Sequence, residues 1–140
     1  MEPDIVTLAK GIASGFPVGA LVAREGLEFK KGEHGSTFAG GPLACAVSLA
    51  TIDIIGKVLP TVGAKGERFR QGLSLYNPRV RGLMVGITVG DACPGVQKRC
   101  AAGGVLVNCA ADGNLRLVPP LVIREDEIDA AIEVIHEALR

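Results

Sequence analysis

The sequence lacks tryptophan, has a single tyrosine and is only 4% aromatic, although 48% of its 140 residues are hydrophobic and 19 are glycine. A small independent domain usually carries more polar surface than such a composition provides. The length is sufficient for one domain with a core. The composition therefore favours a piece of a larger protein with extensive internal interfaces.

Neither sign of charge is in excess, because 15 basic residues balance 15 acidic residues. The sequence has no basic patch or arginine-rich run, so nucleic acid is not an expected partner. Glycine, proline or charged residues interrupt the apolar stretches well before the roughly 18 residues that a membrane span requires, so no membrane association is expected. Residues 1–4 lack the basic and apolar regions of a secretory signal.

Metal-binding patterns of cysteine and histidine are also missing. The four cysteines, Cys45, Cys93, Cys100 and Cys109, form no CxxC pair, and the chain has two histidines. A metal site or a disulfide framework is therefore not expected. Free thiols in a reducing cytoplasm are predicted.

Lys10 has the most informative local sequence in the chain. It follows the apolar segment 5–9 and precedes Gly11, Gly15 and Gly19. Apolar neighbours favour a neutral amine, which is a nucleophile toward carbonyl carbon, and glycines permit sharp turns and close approach of a ligand. This setting predicts a Schiff-base lysine in a glycine-lined loop. The alternative is a surface lysine in a turn.

Apolar periodicity and the positions of glycine and proline predict alternating strands and helices. Pro42 can open a helix, because proline fits the first helical position. The next residues are apolar on nearly all sides, which predicts a buried helix that Gly56 ends or bends before Pro60 starts another. The expected elements are strands at 5–8, 18–23, 81–89, 105–107 and 115–118, and helices at 42–55, 60–75, 94–103 and 124–139.

Three sequence blocks carry a family resemblance. They are LAKGIASGFPVGA at 8–20, HGSTFAGGPLACA at 34–46 and GNLRLVPPL at 113–121. In this order they resemble the class III aminotransferases of the ornithine and acetylornithine type, which use pyridoxal phosphate. The acetylornithine branch is the most similar, and the resemblance runs over nearly the whole chain.

The resemblance implies an α/β fold, the C-terminal part of a fold-type I pyridoxal-phosphate-dependent transferase. Residues 1–72 would form the end of the large cofactor domain, including the interdomain helix, and residues 73–140 a small C-terminal α+β domain. Family members are much longer, so a C-terminal fragment or a truncated reading frame is expected. Segment 81–84 is also shorter than in the usual family version, which would shift a sheet or tighten a turn.

The resemblance also implies roles for individual residues. Lys10 would hold the cofactor covalently and then move a proton between the substrate carbon and the cofactor C4′ carbon. Ser36 and Thr37 would bind the cofactor phosphate, Thr37 that of a neighbouring subunit, which implies a homodimer with shared sites. Arg116 would bind the substrate carboxylate through its planar guanidinium. His34 is expected to be structural.

The residue patterns alone leave other roles open for two of these side chains. Thr37 could cap local structure in an ordinary glycine loop. Arg116 could be an arginine at a strand edge that pairs with an acidic side chain.

The implied reaction moves an amino group from N-acetylornithine to 2-oxoglutarate, giving N-acetylglutamate 5-semialdehyde and glutamate in cytoplasmic arginine biosynthesis. The alternatives are another class III ω-aminotransferase, acting on ornithine, 4-aminobutyrate or succinylornithine, and an inactive folded fragment. In the family, the groups that hold the pyridine nitrogen, the ring and the phosphate precede the lysine. Little or no activity is therefore expected of these 140 residues alone.

Overall fold

The computed structural model describes residues 2–140, and the chain divides into two compact units, Met1–Lys57 and Val58–Arg140. Each unit has a sheet of its own. The division falls inside a long helix. The boundary near residue 72 that the sequence suggested remains a prediction.

The first unit begins with an antiparallel hairpin of strands β1 (Ile5–Ala9) and β2 (Gly19–Ala23). The register pairs Ile5 with Ala23 and Ala9 with Gly19. Both strands were predicted and both form, because their apolar residues favour extended backbone. The prediction that they are buried was wrong among the described residues, since every residue of β1 is exposed.

Helix α1 (Pro42–Gly72) starts at the predicted proline but continues without a break for 31 residues. The prediction that the helix ends at Gly56, and that Pro60 starts a new helix, was therefore wrong. A proline inside a helix removes one backbone hydrogen bond, and the many remaining bonds of a long helix outweigh that loss. Next to Pro60, the Thr61 hydroxyl donates to the carbonyl of Val58 at 2.8 Å.

The first part of α1 presents apolar side chains to solvent, so the prediction of a buried helix was also wrong for the described residues. Leu43, Leu49, Ile52 and Ile54 are each about half exposed or more. By length and composition α1 could cross a membrane. The sequence had predicted no such helix, because glycine, proline and charged residues interrupt its apolar stretches. One such helix is weak evidence, because a helix packed inside a larger protein passes the same test.

The second unit is built on four strands, β3 (Arg79–Arg81), β4 (Met84–Thr88), β5 (Asn108–Ala110) and β6 (Asn114–Leu117). They form an antiparallel sheet in the order β3-β4-β6-β5. Alternation sends Val85, Ile87, Leu115 and Leu117 to one face, where they are at most 5% exposed. The end of α1 and two further helices cover that face. These two helices are α2 (Cys93–Ala102) and α3 (Glu125–Leu139).

The sequence patterns located the helices of this unit better than its strands. α2 and α3 lie where they were predicted, with Gly103 after the end of α2. The predicted strand 81–89 forms in part, as β4, but its first residue ends β3 instead. Arg81 pairs with Met84 across a two-residue turn that contains Gly82 at φ +56°. Segment 81–84 thus contains a two-residue turn. The strand expected at 105–107 lies three residues later, as β5.

A disulfide joins Cys93, at the start of α2, to Cys109 in β5, so the prediction of four free thiols was wrong. The cause is tertiary: the sheet and α2 bring together two residues that are 16 positions apart in the chain. Cys45 and Cys100 are free, Cys45 exposed and Cys100 buried. Burial raises the pKa of the Cys100 thiol, so it stays protonated.

Candidate functional site

Lys10 follows β1 directly and is the first residue of a short 3₁₀ helix, Lys10–Ala13. Its φ is +54°, and Ser14 at the end of the same turn has φ +48°. Side chains other than glycine rarely adopt this left-handed conformation, which costs about 1–3 kcal/mol and concentrates at functional sites. The turn thus holds Lys10 in a backbone conformation that local sequence preference does not explain.

The predicted shielding of Lys10 from water is absent among the described residues. Lys10 is exposed, and the apolar side chains before it, Ile5, Val6 and Leu8, are themselves 37–51% exposed. Residues 2–140 therefore supply the turn that carries the amine but not apolar surroundings that shield it from water.

The loop that carries Ser36 and Thr37 leads into the start of α1. The Ser36 hydroxyl accepts a hydrogen bond from the Ala39 backbone N–H at 3.3 Å, and Thr37 is exposed. His34 stacks on Phe29 with ring centroids 5.0 Å apart, which is a packing contact. The loop thus presents a hydroxyl and a helix start, both of which suit an anion.

The turn after Lys10 and the start of α1 border a common cavity of about 300 Å³. Pro42 has no N–H, and the first hydrogen bond into the helix runs from the Cys45 N–H to the Gly41 carbonyl at 3.1 Å. The N–H groups before Cys45 therefore have no partner within the helix. Neither Lys10 nor Thr37 lines this cavity, which is bordered by residues 16–19 and 38–44.

Arg116 lies on β6 and projects from the face of the sheet opposite the core. It is exposed and lines a cavity of about 350 Å³ together with Arg79, Arg81 and Asn114. The alternative that Arg116 pairs with an acidic side chain is not met in residues 2–140, where it makes no ion pair. Arg116 is thus free to bind an anionic ligand.

Three further residues of this cavity, Arg79, Gly86 and Asn114, were not singled out in the sequence. A strand before the turn at Gly82 would place Arg79 and Arg81 on the same face of the sheet, because side chains two residues apart point the same way. That strand was not predicted. The register that sets them opposite β6 cannot be read from local pattern.

Lys10, Ser36 and Thr37 belong to the first unit and Arg116 to the second. The predicted site residues thus fall into two groups, one with an amine and hydroxyls and one with a single guanidinium group. Their roles remain predictions.

Comparison with known proteins identifies the family. The model of the class III aminotransferases matches residues 1–139. The acetylornithine aminotransferase of Methanosarcina mazei is 44% identical over 99% of this chain and 37% of its own length, and that of Aquifex aeolicus is 41% identical over 99% and 38%.

Solved structures agree in fold. The ornithine aminotransferase of Toxoplasma gondii, crystallised with PLP partially occupying its active site, superimposes with a TM-score of 0.89 at 29% identity, over 98% of this chain and 36% of that one. The acetylornithine aminotransferase of Elizabethkingia anophelis gives the same TM-score and identity over 99% and 41%. The chain belongs to the class III aminotransferase family and has the α/β fold of its pyridoxal-phosphate-dependent members. It spans less than two-fifths of the length of the Methanosarcina and Aquifex enzymes.

Proposed function

We propose that this chain takes part in pyridoxal-phosphate-dependent transamination, with Lys10 as the residue that binds the cofactor. The observation that carries the proposal is the position of Lys10. It lies at the end of β1, in a left-handed backbone conformation, within the region that the family model matches. The turn between the two paired strands holds the Lys10 backbone in a strained conformation, and strain of this kind concentrates at functional sites.

The donor groups of the first unit fit the cofactor in chemical type. Lys10 provides an exposed primary amine, Thr37 an exposed hydroxyl, and the start of α1 backbone N–H groups without helical partners. When bound, pyridoxal phosphate supplies an aldehyde that combines with amines and a ring that withdraws electrons from the adjacent carbon. Ser36 and Thr37 would hold the phosphate, and Lys10 the aldehyde carbon.

Lys10 and Arg116 would then divide the work on the substrate. The Lys10 amine, once free, would carry a proton between the substrate carbon and the cofactor. Arg116 would bind a substrate carboxylate with two parallel N–H···O bonds.

N-acetylornithine is the proposed amino donor and 2-oxoglutarate the proposed acceptor, with N-acetylglutamate 5-semialdehyde and glutamate as products. The support is that the relatives from Methanosarcina mazei and Aquifex aeolicus are both named acetylornithine aminotransferases. A role in arginine biosynthesis and a cytoplasmic location follow from that substrate. The Cys93–Cys109 disulfide is not typical of a reducing compartment such as the cytoplasm. A count of the reactive thiols in the purified chain tests whether this disulfide forms.

Ornithine is the second candidate donor. The structure of an ornithine aminotransferase superimposes as well as that of an acetylornithine aminotransferase, each with a TM-score of 0.89. 4-Aminobutyrate and succinylornithine are tested as donors in the same way. If no donor reacts, the chain is an inactive fragment.

A homodimer with shared cofactor sites is proposed as the assembly. Its support is the apolar surface of α1, where Leu43 and Leu49 are 64% and 65% exposed, next to a loop whose Phe38 is 92% exposed. Contiguous apolar surface of this kind usually marks an interface. Sedimentation of the chain at increasing concentration tests this, and a monomer at every concentration contradicts it.

The functional test uses the change in the cofactor's visible absorbance as the 140-residue chain takes it up. We expect weak but saturable uptake by the wild type and by Lys57→Ala, which removes another exposed lysine, and no saturable uptake by Lys10→Ala. Adding each amino donor separately to the loaded chain then reports which donor displaces Lys10. Acetylornithine should act at the lowest concentration. Equal uptake by Lys10→Ala contradicts the proposal, and preference for ornithine selects the second candidate.

A further inference from the structure

The edge strand β5 has few contacts besides a covalent bond to α2. It has three residues and pairs with β6 alone among the strands of residues 2–140. The segment before it is open to solvent, since Leu106 is 90% exposed. A single neighbouring strand and few buried contacts give a segment low local stability. The Cys93–Cys109 disulfide, which ties β5 to the start of α2, is therefore a main support of its position.

The disulfide lies on the core side of the sheet. Cys109 pairs with Leu115, which is fully buried, so both side chains face α2. Two residues before Cys109, the Val107 carbonyl accepts a hydrogen bond from Nε2 of Gln97 on α2 at 3.0 Å. Without the disulfide, this stretch of chain retains that hydrogen bond and its pairing with β6.

The same strand borders the predicted substrate-binding arginine. Asn108 pairs directly with Arg116, and both line a cavity of about 260 Å³. Ala110, at the other end of β5, lines the cavity of about 350 Å³ on the other side of Arg116. A change in the position of β5 therefore changes the walls of both cavities that Arg116 lines.

The two bridged cysteines differ in their access to a thiol. Cys93 is 2% exposed and is the first residue of α2, whereas Cys109 is half-buried. An external thiolate therefore meets Cys109 more readily, and Cys93 becomes the leaving group. A helix N-terminus stabilises negative charge, so the Cys93 thiolate forms where the α2 backbone favours it. This arrangement suits opening of the bond by attack at Cys109.

The remaining cysteine of α2 does not open the bond from inside. Cys100 lies two helical turns after Cys93 and is fully buried. Burial raises the pKa of its thiol, and a protonated thiol does not attack a disulfide. An external thiol is therefore needed to break the Cys93–Cys109 bond.

We propose that Cys93 and Cys109 form a thiol–disulfide switch, which holds β5 beside Arg116 when oxidised and releases β5 when reduced. The rest of the second unit stays folded after reduction, because most of its core residues, among them Phe69 and Ile128, lie outside the bridged segment. The effect of the switch on substrate binding rests on the proposed function, in which Arg116 binds a carboxylate.

Reduction by a dithiol such as dithiothreitol takes two exchange steps. A thiolate of the dithiol attacks Cys109 Sγ, the S–S bond breaks, and Cys93 leaves as a thiolate that takes up a proton. The second thiolate of the dithiol attacks the dithiol sulfur that is bound to Cys109, which leaves and is protonated in turn. The dithiol becomes a cyclic disulfide, and two electrons pass to the cysteine pair. Oxidised glutathione reverses the exchange and is itself reduced to two glutathione molecules.

The test follows amide hydrogen exchange by NMR in the 140-residue chain, without cofactor, before and after dithiothreitol in the absence of denaturant. Exchange of residues 108–110 in β5 should accelerate at least about tenfold more than exchange of Val85 and Ile87 in β4, because β5 opens locally. A disulfide that only stabilises the whole unit would accelerate both strands by the same factor. Oxidised glutathione should restore the slow exchange of β5.

Two variants accompany the wild type. The double variant Cys93→Ser and Cys109→Ser should show the pattern of the reduced chain with and without dithiothreitol. The control Cys45→Ser, which removes the exposed free thiol, should behave as wild type in both states. Circular dichroism checks that each protein keeps its sheet and helices.

Four results overturn the proposal: a disulfide that does not form with oxidised glutathione, one that dithiothreitol reduces only in denaturant, equal acceleration in β4 and β5, or fast exchange in β5 that reoxidation does not reverse. Neither Lys10 nor cofactor enters these measurements. A chain whose β5 responds to reduction, but whose Lys10→Ala variant takes up cofactor as wild type does, therefore keeps the switch and contradicts the proposed function.

Discussion

At the scale of single residues, a glycine decides how closely α1 can approach the β3–β4 hairpin. A Cβ added at Gly66 would overlap the carbonyl oxygen of Gly82 and lie 3.1 Å from its carbonyl carbon. Three residues earlier in the same helix, a Cβ at Gly63 would have no neighbour within 4 Å. The two glycines have the same helical conformation but opposite packing requirements.

We expect Gly66→Ala to lower the free energy of unfolding by about 1–3 kcal/mol, because α1 or the hairpin must move away. Gly63→Ala should raise it by about 0.5–1 kcal/mol, because alanine favours helix and meets no obstacle. Urea denaturation of both variants provides the measurement. If both changes stabilise the chain, the close approach of Gly66 to Gly82 is wrong.

The two groups of site residues differed in how far local sequence could predict them. Lys10 was predicted because its signal is local, an apolar strand followed by a glycine-rich turn. Its exposure was not predicted, because shielding depends on residues that are distant in sequence. The alignment of Arg79 and Arg116 with Gly86 was not predicted for the same reason, because it depends on the strand register.

At the scale of elements, α1 and α3 are joined by an arginine between two carboxylates. Arg68 donates from Nε and Nη2 to Asp129, both at 2.6 Å, and from Nη1 to Glu125 at 3.0 Å. Hydrogen bonds from Arg68 hold the pKa of Asp129 below the ordinary value of a carboxyl group. The attraction between these helix surfaces therefore depends on the charge of Asp129.

Since the folded pKa of Asp129 is lowered, its contribution to stability is fully present above the ordinary carboxyl pKa of about 4 and is lost as the pH falls through the folded value. Arg68→Met should therefore destabilise the chain near neutral pH, and its difference from wild type should shrink below about pH 4. Arg70→Met breaks a pair with Glu67 on the same helix and a hydrogen bond to the Val80 carbonyl, and it should lack this pattern. Denaturant titrations between pH 2 and 7 compare the three proteins. A difference in the free energy of unfolding between Arg68→Met and wild type that stays constant with pH contradicts the account.

The disulfide fixes the edge of the sheet against α2. Reducing it, or replacing Cys93 and Cys109 by serine, should cost about 3 kcal/mol, because the open loop gains entropy in the unfolded chain. Cys45→Ser, at an exposed free thiol, should cost little. Without reductant, the denatured chain should show two reactive thiols, those of Cys45 and Cys100. Four reactive thiols in chain purified under air would contradict the disulfide and agree with the reducing compartment.

Local pattern predicted helices where the signal stays within one element. α3 was located from its apolar stripe, which the structure buries through Ile128, Ile132 and Ile135. The continuation of α1 through Pro60 was not predicted. The expectation that proline starts a new helix considers only the one hydrogen bond that proline removes, and not the many others that stabilise a long helix. The edge strand β5 was misplaced because it has three residues, too few to establish a period.

At the scale of the whole molecule, the two units differ sharply in how well they enclose their apolar residues. The second has a continuous core, with Phe69, Leu73, Val85 and Ile128 at most 1% exposed. In the first, Ala13, Ala44 and Thr51 are the buried residues among those that the structure describes. We therefore expect hydrogen exchange to be slow in the sheet of the second unit and fast in the β1–β2 hairpin.

The cofactor role of Lys10 is tested most directly by fixing any cofactor–lysine bond with borohydride and locating the modified lysine by mass spectrometry. The 140-residue chain incubated with pyridoxal phosphate should carry the label on Lys10 in preference to the exposed Lys30, Lys31, Lys57 and Lys98. Lys10→Ala should lose this label without gaining it elsewhere. A label spread evenly over the exposed lysines, or one that persists in Lys10→Ala, would contradict the assignment.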